Sequence, residues 1–347
     1  MSFDPIFIIG TERSGSNLLR LILNAHSEIA VPHPPHVMSY FGPLEKYYGD
    51  LSCESNFRRL TRDVITHLRS HIHPWEVEID EDTLVRAASP RDLFGIYAAL
   101  YEQFMKATGK RYWGCKSTFM IHYVKRILAS YPEAKLIWLI RDPRDVALSS
   151  QVSVFNPYHP YYTARLWAKQ QELGLQLEAT CRPANLLRVH YEALISNPQE
   201  TVERICRFIG VPFEQTMLRF FETREARTSA SLAQDWRNTA VPILSNNANK
   251  FLSRMPAEDI AIIEAVAGET MEKLNYKKVC AEVSAKPAGG LRRAHYRLKN
   301  ELLRLRVEYR SVRHDRNQWL RWRRAMRMFA LRVRLQFSSV RSMHVKA

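Results

Sequence analysis

The sequence predicts an α/β fold in which a parallel sheet is flanked by helices on both faces. Two observations carry this prediction: short, continuously apolar runs alternate with helical stretches, and several of the runs end directly before glycine or charged residues. Continuous apolar runs are typical of strands buried on both faces of a parallel sheet. Their alternation with helices favours crossover units that place the strands side by side.

Each element follows from a local pattern. The apolar runs KLIWLI and PIFIIG are the clearest strands, and RYWGCK is the weakest. The candidate strands are, in chain order, 5–10, 111–116, 135–140 and 185–190. The candidate helices of the body are 18–24, 57–70, 93–107, 143–150, 161–179, 198–209 and 257–274.

Charge divides the chain into a body and a tail. The 347 residues are 46% apolar and 25% charged, which is typical of a soluble globular protein. Residues 287–347 carry 17 Lys and Arg against 3 Asp and Glu, whereas residues 1–286 carry 34 against 32. We therefore expect a globular domain over 1–283, a linker over 284–290 with the composition SAKPAGG, and a basic amphipathic helical tail over 291–337.

Cysteine usage and hydropathy bear on the compartment. The five cysteines are an odd number and include no C-x-x-C pair, so neither a disulfide framework nor a zinc site is indicated. No basic n-region precedes the first apolar run, and no window of 18 apolar residues predicts a membrane span. We expect a cytoplasmic protein, with peripheral attachment at the inner face of a membrane as the alternative.

The first strand runs into a loop with two glycines, Gly10 and Gly15, followed by a helix. Glycines at this spacing allow a tight turn whose backbone N–H groups and helix N-terminus attract an anion. A nucleoside triphosphatase would place Lys and Ser or Thr after the second glycine, whereas Ser16 and Asn17 stand here and Arg13 supplies a positive charge. A tight turn without a ligand is the competing interpretation.

The loop GTERSGSNLL resembles the 5'-phosphosulfate loop of the sulfotransferases that use 3'-phosphoadenosine 5'-phosphosulfate (PAPS). The match covers Arg13, Ser14, Gly15, Ser16 and Asn17, while Glu12 replaces the family's usual proline. The resemblance implies a P-loop-like fold and a loop that binds the donor.

A second motif, LIWLIRDPRDVALS, delivers Arg141 to the carboxyl end of a strand and places Ser149 eight residues later. Arginine can bind phosphate through two hydrogen bonds, and a serine hydroxyl can add a third. Solvated ion pairs at a helix start are the alternative. The spacing resembles the family's 3'-phosphate motif, which implies selection of PAPS over ATP and release of the product PAP.

Two further segments resemble the family. HYEAL implies that Tyr191 helps to line the donor site, with a packing role as the alternative. WGCKSTF resembles the lysine-containing segment of the tyrosylprotein type and implies that Lys116 approaches the transferring sulfuryl group with Arg13. Lys250 lies where a loop over the donor is expected, although the match there is poor. No metal is required by this chemistry.

The general base is less clearly indicated. Members of the tyrosylprotein type have a Glu on the loop after the first helix, and the matching segment here contains His33 and His36 instead. An imidazole titrates near neutral pH and suits this role, whereas two solvated histidines on a proline-rich loop are the alternative. His122 is a weaker candidate.

The tail carries an apolar residue at every seventh position, as an amphipathic helix does. This heptad stripe is Leu291, Leu298, Leu305, Val312, Trp319, Met326 and Val333. Three partners remain open for it: the body or a second subunit, an anionic membrane surface, and nucleic acid or another polyanion, which is the least favoured.

The sequence as a whole predicts a PAPS-dependent sulfotransferase, closest in its motifs to the tyrosylprotein and bacterial types. The acceptor hydroxyl is left open among carbohydrate, lipid, small molecule and peptide tyrosine. A nucleotide kinase or NTPase is one alternative, and a non-catalytic nucleotide-binding scaffold is another.

Overall fold

A computed structural model describes residues 4–344 except 154–156, 233, 281–288 and 316. Its centre is a five-stranded sheet in the order β2-β3-β1-β4-β5, and all neighbouring strands are parallel. The strands are β1 (Ile6–Gly10), β2 (Ile29–Ala30), β3 (Tyr112–Lys116), β4 (Lys135–Ile140) and β5 (Leu186–His190). The predicted parallel sheet is confirmed, and the two-residue β2 is too short to leave an apolar run in the sequence.

Helices cover both faces of the sheet. They are α1 (Ser16–Asn24), α2 (Val37–Phe41), α3 (Glu54–Arg69), α4 (Glu81–Ala87), α5 (Leu93–Ala107), α6 (Val124–Ser130), α7 (Pro143–Ser150), α8 (Pro160–Thr180), α9 (Tyr191–Ser196), α10 (Pro198–Ile209), α11 (Arg224–Leu232), α12 (Phe251–Arg254), α13 (Ala257–Lys273), α14 (Gly290–His314) and α15 (Gln318–His344). Short 3-10 helices lie at Glu45–Tyr48, Thr118–Tyr123, Gln215–Glu222 and Gln234–Ala240.

Strand β1 shows why its run is apolar throughout. Phe7 and Ile9 point into one hydrophobic core, whereas Ile6 and Ile8 point into the other. Successive side chains of a strand face opposite sides of the sheet. All four are essentially inaccessible to solvent, because helices cover both of these sides. The carboxyl ends of β1, β3 and β4 meet at one edge of the sheet, where ligands of open α/β folds bind.

The tail is helical, as predicted, but it consists of α14 and α15 rather than one helix, with the chain leaving helical geometry at Asp315. It packs on the body through residues outside the heptad stripe. Leu331 and Leu335 belong to the body core, and the Tyr296 ring stacks on His159 with centroids 4.5 Å apart. The predicted linker 284–290 lies mostly outside the described residues.

The heptad stripe itself does not dock on the body. Leu291, Leu298, Leu305, Val312, Trp319 and Met326 are all more than half exposed. The alternative that this stripe docks on the body is therefore wrong for these six residues, because side chains on the opposite side of the same helices contact the body. A second subunit and a membrane stay candidate partners of the stripe. Among the described residues, no helix combines the length and apolarity needed to cross a bilayer.

Candidate active site

The loop after β1 is shaped by three residues in left-handed or glycine-type backbone conformations. Gly10 has φ +140° and Gly15 has φ +87°, and Arg13 adopts φ 67°. A Cβ atom on Gly10 would lie 2.3 Å from the Leu139 carbonyl oxygen, and one on Gly15 would lie 2.3 Å from the Tyr191 ring. The loop therefore needs glycine at both positions, and it ends where α1 begins at Ser16.

Two buried polar atoms at this loop have no hydrogen-bond partner among the described residues: Ser14 Oγ and Asn17 Nδ2. The Asn17 side chain is fixed from behind, because Arg20 Nε donates to its Oδ1 at 2.9 Å. Unpaired donors of this kind, next to a helix N-terminus, suit an anionic ligand such as phosphate. The loop thus has a backbone shape and unpaired donors that suit an anionic ligand.

Arg20 connects the loop to distant parts of the chain. Its guanidinium is fully buried and donates to Glu225 at 2.6 Å, to Ser229 at 2.8 Å and to the Val31 carbonyl at 3.2 Å. Burial alone would raise the pKa of Glu225, but the hydrogen bond with His73 and the adjacent Arg20 guanidinium lower it to about 2. A buried charge with this many partners holds Asn17 in one orientation.

The second motif meets the first. Arg13 Nε donates to Ser149 Oγ at 3.0 Å, and Arg141 Nη1 donates to the Arg13 carbonyl at 3.1 Å. Arg141 also lies over the Tyr191 ring at 4.5 Å, and its buried Nε has no hydrogen-bond partner in the described part of the chain. The structure thus brings Arg13, Arg141, Ser149 and Tyr191 together, although 128 residues separate Arg13 from Arg141.

The charges that follow Arg141 are not solvated. Arg144 bonds Asp142 and Glu264 at 2.6 Å each, and all three side chains are almost completely buried. Asp145 accepts from the Phe251 amide at 3.0 Å and lies 3.7 Å from Arg141. The alternative of solvated ion pairs at a helix start is therefore wrong, because α7 begins inside the protein beneath α13.

Lys116, at the end of β3, lies on the wall of the same pocket as Arg13. Burial lowers the pKa of its ammonium to about 8, although the Glu12 carboxylate partly opposes this effect. Lysine burial destabilises the charged form, so a bound anion would restore it. Glu12, which replaces the family's proline, therefore contributes negative charge beside the lysine.

Both candidate bases border the pocket. His33 is buried, and its ring lies 5.0 Å from that of His71 and 5.3 Å from those of His73 and Trp236. His36 is half-buried and adopts φ 57°, a left-handed conformation that L-residues seldom take. The alternative of two solvated histidines is therefore wrong for His33, which is buried, whereas His36 keeps part of its surface exposed.

Burial lowers the pKa of His33 well below its ordinary value, and burial with the charges of Lys116 and Arg324 lowers the pKa of His36 to about 3. Both imidazoles are therefore neutral at neutral pH and can accept a proton. His33 Nδ1 is buried without a hydrogen-bond partner. His122 does not border the pocket.

The pocket has a volume of about 440 Å³ and includes a wall of which the sequence indicated only Lys250. This wall is the segment 236–254, which contributes Trp236, Asn247 and Lys250 among others. The Asn247 carbonyl accepts from Arg141 Nη2 at 2.9 Å, and its Nδ2 donates to the Tyr191 hydroxyl at 2.6 Å. Lys250 Nζ donates to Asn247 Oδ1 at 2.6 Å, so the lysine expected near the donor does lie at the pocket.

Comparison with known proteins agrees with this geometry. Residues 5–215 match the model of the sulfotransferase family. A putative protein-tyrosine sulfotransferase of Caenorhabditis briggsae is 25% identical over 224 residues, which cover 62% of this chain and 69% of that protein. An uncharacterised protein of Aquifex aeolicus is 24% identical over 66% of this chain, but the alignment spans only 28% of that protein.

Among solved structures, the sulfotransferase domain from the olefin synthase of Synechococcus PCC 7002 has the same fold. It superposes with a TM-score of 0.57 at 23% identity, covering 79% of this chain and 96% of that domain. The family match covers more than half of the chain and includes both phosphate motifs. The chain therefore belongs to the sulfotransferase family, and the prediction of a sulfotransferase is confirmed.

Proposed function

We propose that the pocket holds PAPS with its 5'-phosphosulfate on the loop 10–17 and its 3'-phosphate at Arg141 and Ser149. The observation that carries this assignment is the convergence of the two motifs through the Arg13–Ser149 and Arg141–Arg13 hydrogen bonds. The unpaired donors Ser14 Oγ and Asn17 Nδ2 suit the phosphosulfate oxygens. Tyr191 supports the loop from below and holds Arg141 over its ring.

The reaction follows from this placement. The acceptor oxygen attacks the sulfur in line, the bond from sulfur to the bridging oxygen breaks, and PAP leaves with the electron pair. Negative charge builds on the bridging oxygen, so Lys116, Arg13 and the loop N–H groups stabilise the transition state electrostatically. His33 or His36 accepts the proton of the acceptor hydroxyl.

The base becomes stronger when the donor binds. A pKa near 3 makes the free imidazole of His36 a weak base. The donor brings several negative charges next to it, and an opposite charge within a few ångströms favours the protonated form. Proton acceptance by His36 is therefore favoured once PAPS is bound.

The acceptor is a molecule with a hydroxyl group that enters along Trp236 and the two histidines. Carbohydrate, lipid, small-molecule and peptide-tyrosine acceptors all contain such a group. No cluster of three or more His, Cys, Asp or Glu suited to a metal occurs in the described part of the chain. Our prediction that turnover is independent of metal is tested by assaying with and without EDTA.

The donor assignment is tested by thermal-shift titration with PAP, ADP and ATP with magnesium. A ligand present at one hundred times its Kd stabilises the folded state by about 2.7 kcal/mol. We expect PAP to raise Tm much more than ADP, because only PAP carries the 3'-phosphate. Stabilisation by ATP with magnesium and not by PAP would contradict the assignment and favour a nucleotide kinase, whereas PAP binding without sulfuryl transfer to any acceptor would favour a scaffold.

A further inference from the structure

Helix α15 carries two apolar stripes on opposite sides. Leu331 and Leu335 face the body and are buried. At 100° per residue, Trp319, Trp322, Met326, Phe329 and Phe337 lie roughly half a turn away from them. An ordinary surface helix has one apolar stripe, facing the core, so the second stripe of α15 needs a partner of its own.

Helix α14 repeats the arrangement. Val307 is buried, Tyr296 is buried against the His159 ring, and the Asn300 side chain accepts from the backbone amides of Tyr158 and His159 at 2.8 and 3.0 Å. On the opposite side of the helix the apolar residues are exposed. The outer stripes of the two helices, at 46–92% relative exposure, comprise Leu291, Leu298, Leu302, Leu305, Tyr309, Val312, Trp319, Trp322, Met326, Phe329 and Phe337.

Arginines flank the outer stripe of α15. Arg323 and Arg327 lie on one side and Arg332 on the other, and all three are exposed. The helix contains seven arginines and no acidic residue. Long arginine side chains can keep their charge at a polar boundary while their stems follow the apolar stripe inward.

The charges beside the outer stripe of α15 distinguish its possible partners. A second copy of α15 laid on this face would bring arginines against arginines, with no carboxylate on either helix to pair with them. Nucleic acid would satisfy the arginines and leave two tryptophans and two phenylalanines in water. An anionic bilayer satisfies both features, because tryptophan favours the membrane interface and arginine favours acidic headgroups.

We propose that the outer stripes of α14 and α15 bind the surface of an anionic membrane. The aromatic and aliphatic side chains enter the boundary between headgroups and acyl chains, and the flanking arginines contact the lipid phosphates and carboxylates. The inner stripes keep the body attached to the same helices, so the whole enzyme is held at the surface. The helices lie in the plane of the interface and do not span it.

The test is cosedimentation of the full chain with vesicles of phosphatidylcholine alone or with about 30% phosphatidylserine. We expect binding to the phosphatidylserine vesicles only. The double variant W319A/F329A should lower the partition coefficient by at least about tenfold, since burying either side chain contributes that much. The double variant R323Q/R332Q should lower it by about 30-fold at low salt.

Leu252→Ala is the matched control, because Leu252 is 62% exposed, lies on α12 of the body and does not border the pocket. Its binding should equal that of the wild type, and an unchanged PAP-induced Tm shift shows that each variant is folded. The proposal is overturned if the wild type does not sediment with the acidic vesicles. It is also overturned if W319A/F329A binds them as the wild type does, which indicates adsorption by charge alone, or if that variant instead turns a dimer into a monomer.

Discussion

Ser149→Ala should separate recognition of the 3'-phosphate from recognition of the rest of the nucleotide. The hydroxyl of Ser149 accepts from Arg13 Nε at 3.0 Å and borders the pocket where Arg141 lies. A hydrogen bond to a charged group contributes about 1.5–3 kcal/mol, and 1.4 kcal/mol corresponds to tenfold in Kd. Loss of this hydroxyl should therefore weaken PAP binding by about 10- to 150-fold and leave ADP binding nearly unchanged.

Isothermal titration of both nucleotides into wild type and variant measures this difference directly. Ser150→Ala is the matched control, because Ser150 lies on the same helix and does not border the pocket. Its PAP and ADP affinities should both equal those of the wild type. Equal weakening of PAP and ADP by Ser149→Ala would refute the reasoning, since it would mean that the hydroxyl only supports Arg13. Unchanged PAP affinity would place the 3'-phosphate elsewhere.

Three further predictions follow from the site. His33 and His36 are each replaced by Ala, and the variant that lacks the catalytic base should lose about 10²- to 10⁴-fold in kcat with little change in PAP affinity. Full activity of both variants in a turnover assay would show that neither histidine is the base. Lys116 needs its proton to stabilise the leaving group, so kcat/KM should fall as pH rises through about 8. Lys116→Arg should move that fall to higher pH, and a flat profile to pH 10 would contradict this role. Gly15→Ala should lower Tm and abolish PAP binding, because the added Cβ would lie 2.3 Å from the Tyr191 ring. Gly210→Ala is the control: Gly210 has φ +91° and open space around it, so this variant shows the effect of backbone strain alone. Thermal unfolding and nucleotide titration measure both variants.

The sheet was predictable because its strands are buried on both faces. A strand in that position must be apolar along its whole length, so its ends are marked by the first glycine or charge. Strand β4 accordingly matches its predicted bounds at 135–140, and β1 differs by one residue. Helices α5 and α10 also have their predicted bounds, because a glycine or a proline lies near their ends.

The contacts that Asn247, His71 and His73 make at the site could not be predicted from the sequence. Asn247 binds Arg141 and Tyr191 through its backbone carbonyl and side-chain amide, and an asparagine in a polar loop has no spacing that predicts such contacts. His71 and His73 reach His33 only because the chain turns after α3. The apolar stripe at heptad spacing was visible in the tail, but spacing alone does not tell which side of a helix meets the body.

Asn247 has a consequence for the order in which substrates bind. It joins Arg141, at the proposed donor site, to the segment 236–254, which also forms the wall beside His33. A donor that immobilises Arg141 thereby immobilises part of the acceptor's binding surface before the acceptor arrives. If one ligand raises the affinity for the other, the second raises the affinity for the first by the same factor. We therefore expect positive cooperativity between donor and acceptor, and we expect PAP, which would contact the same arginine, to retain the acceptor in a dead-end complex when product accumulates.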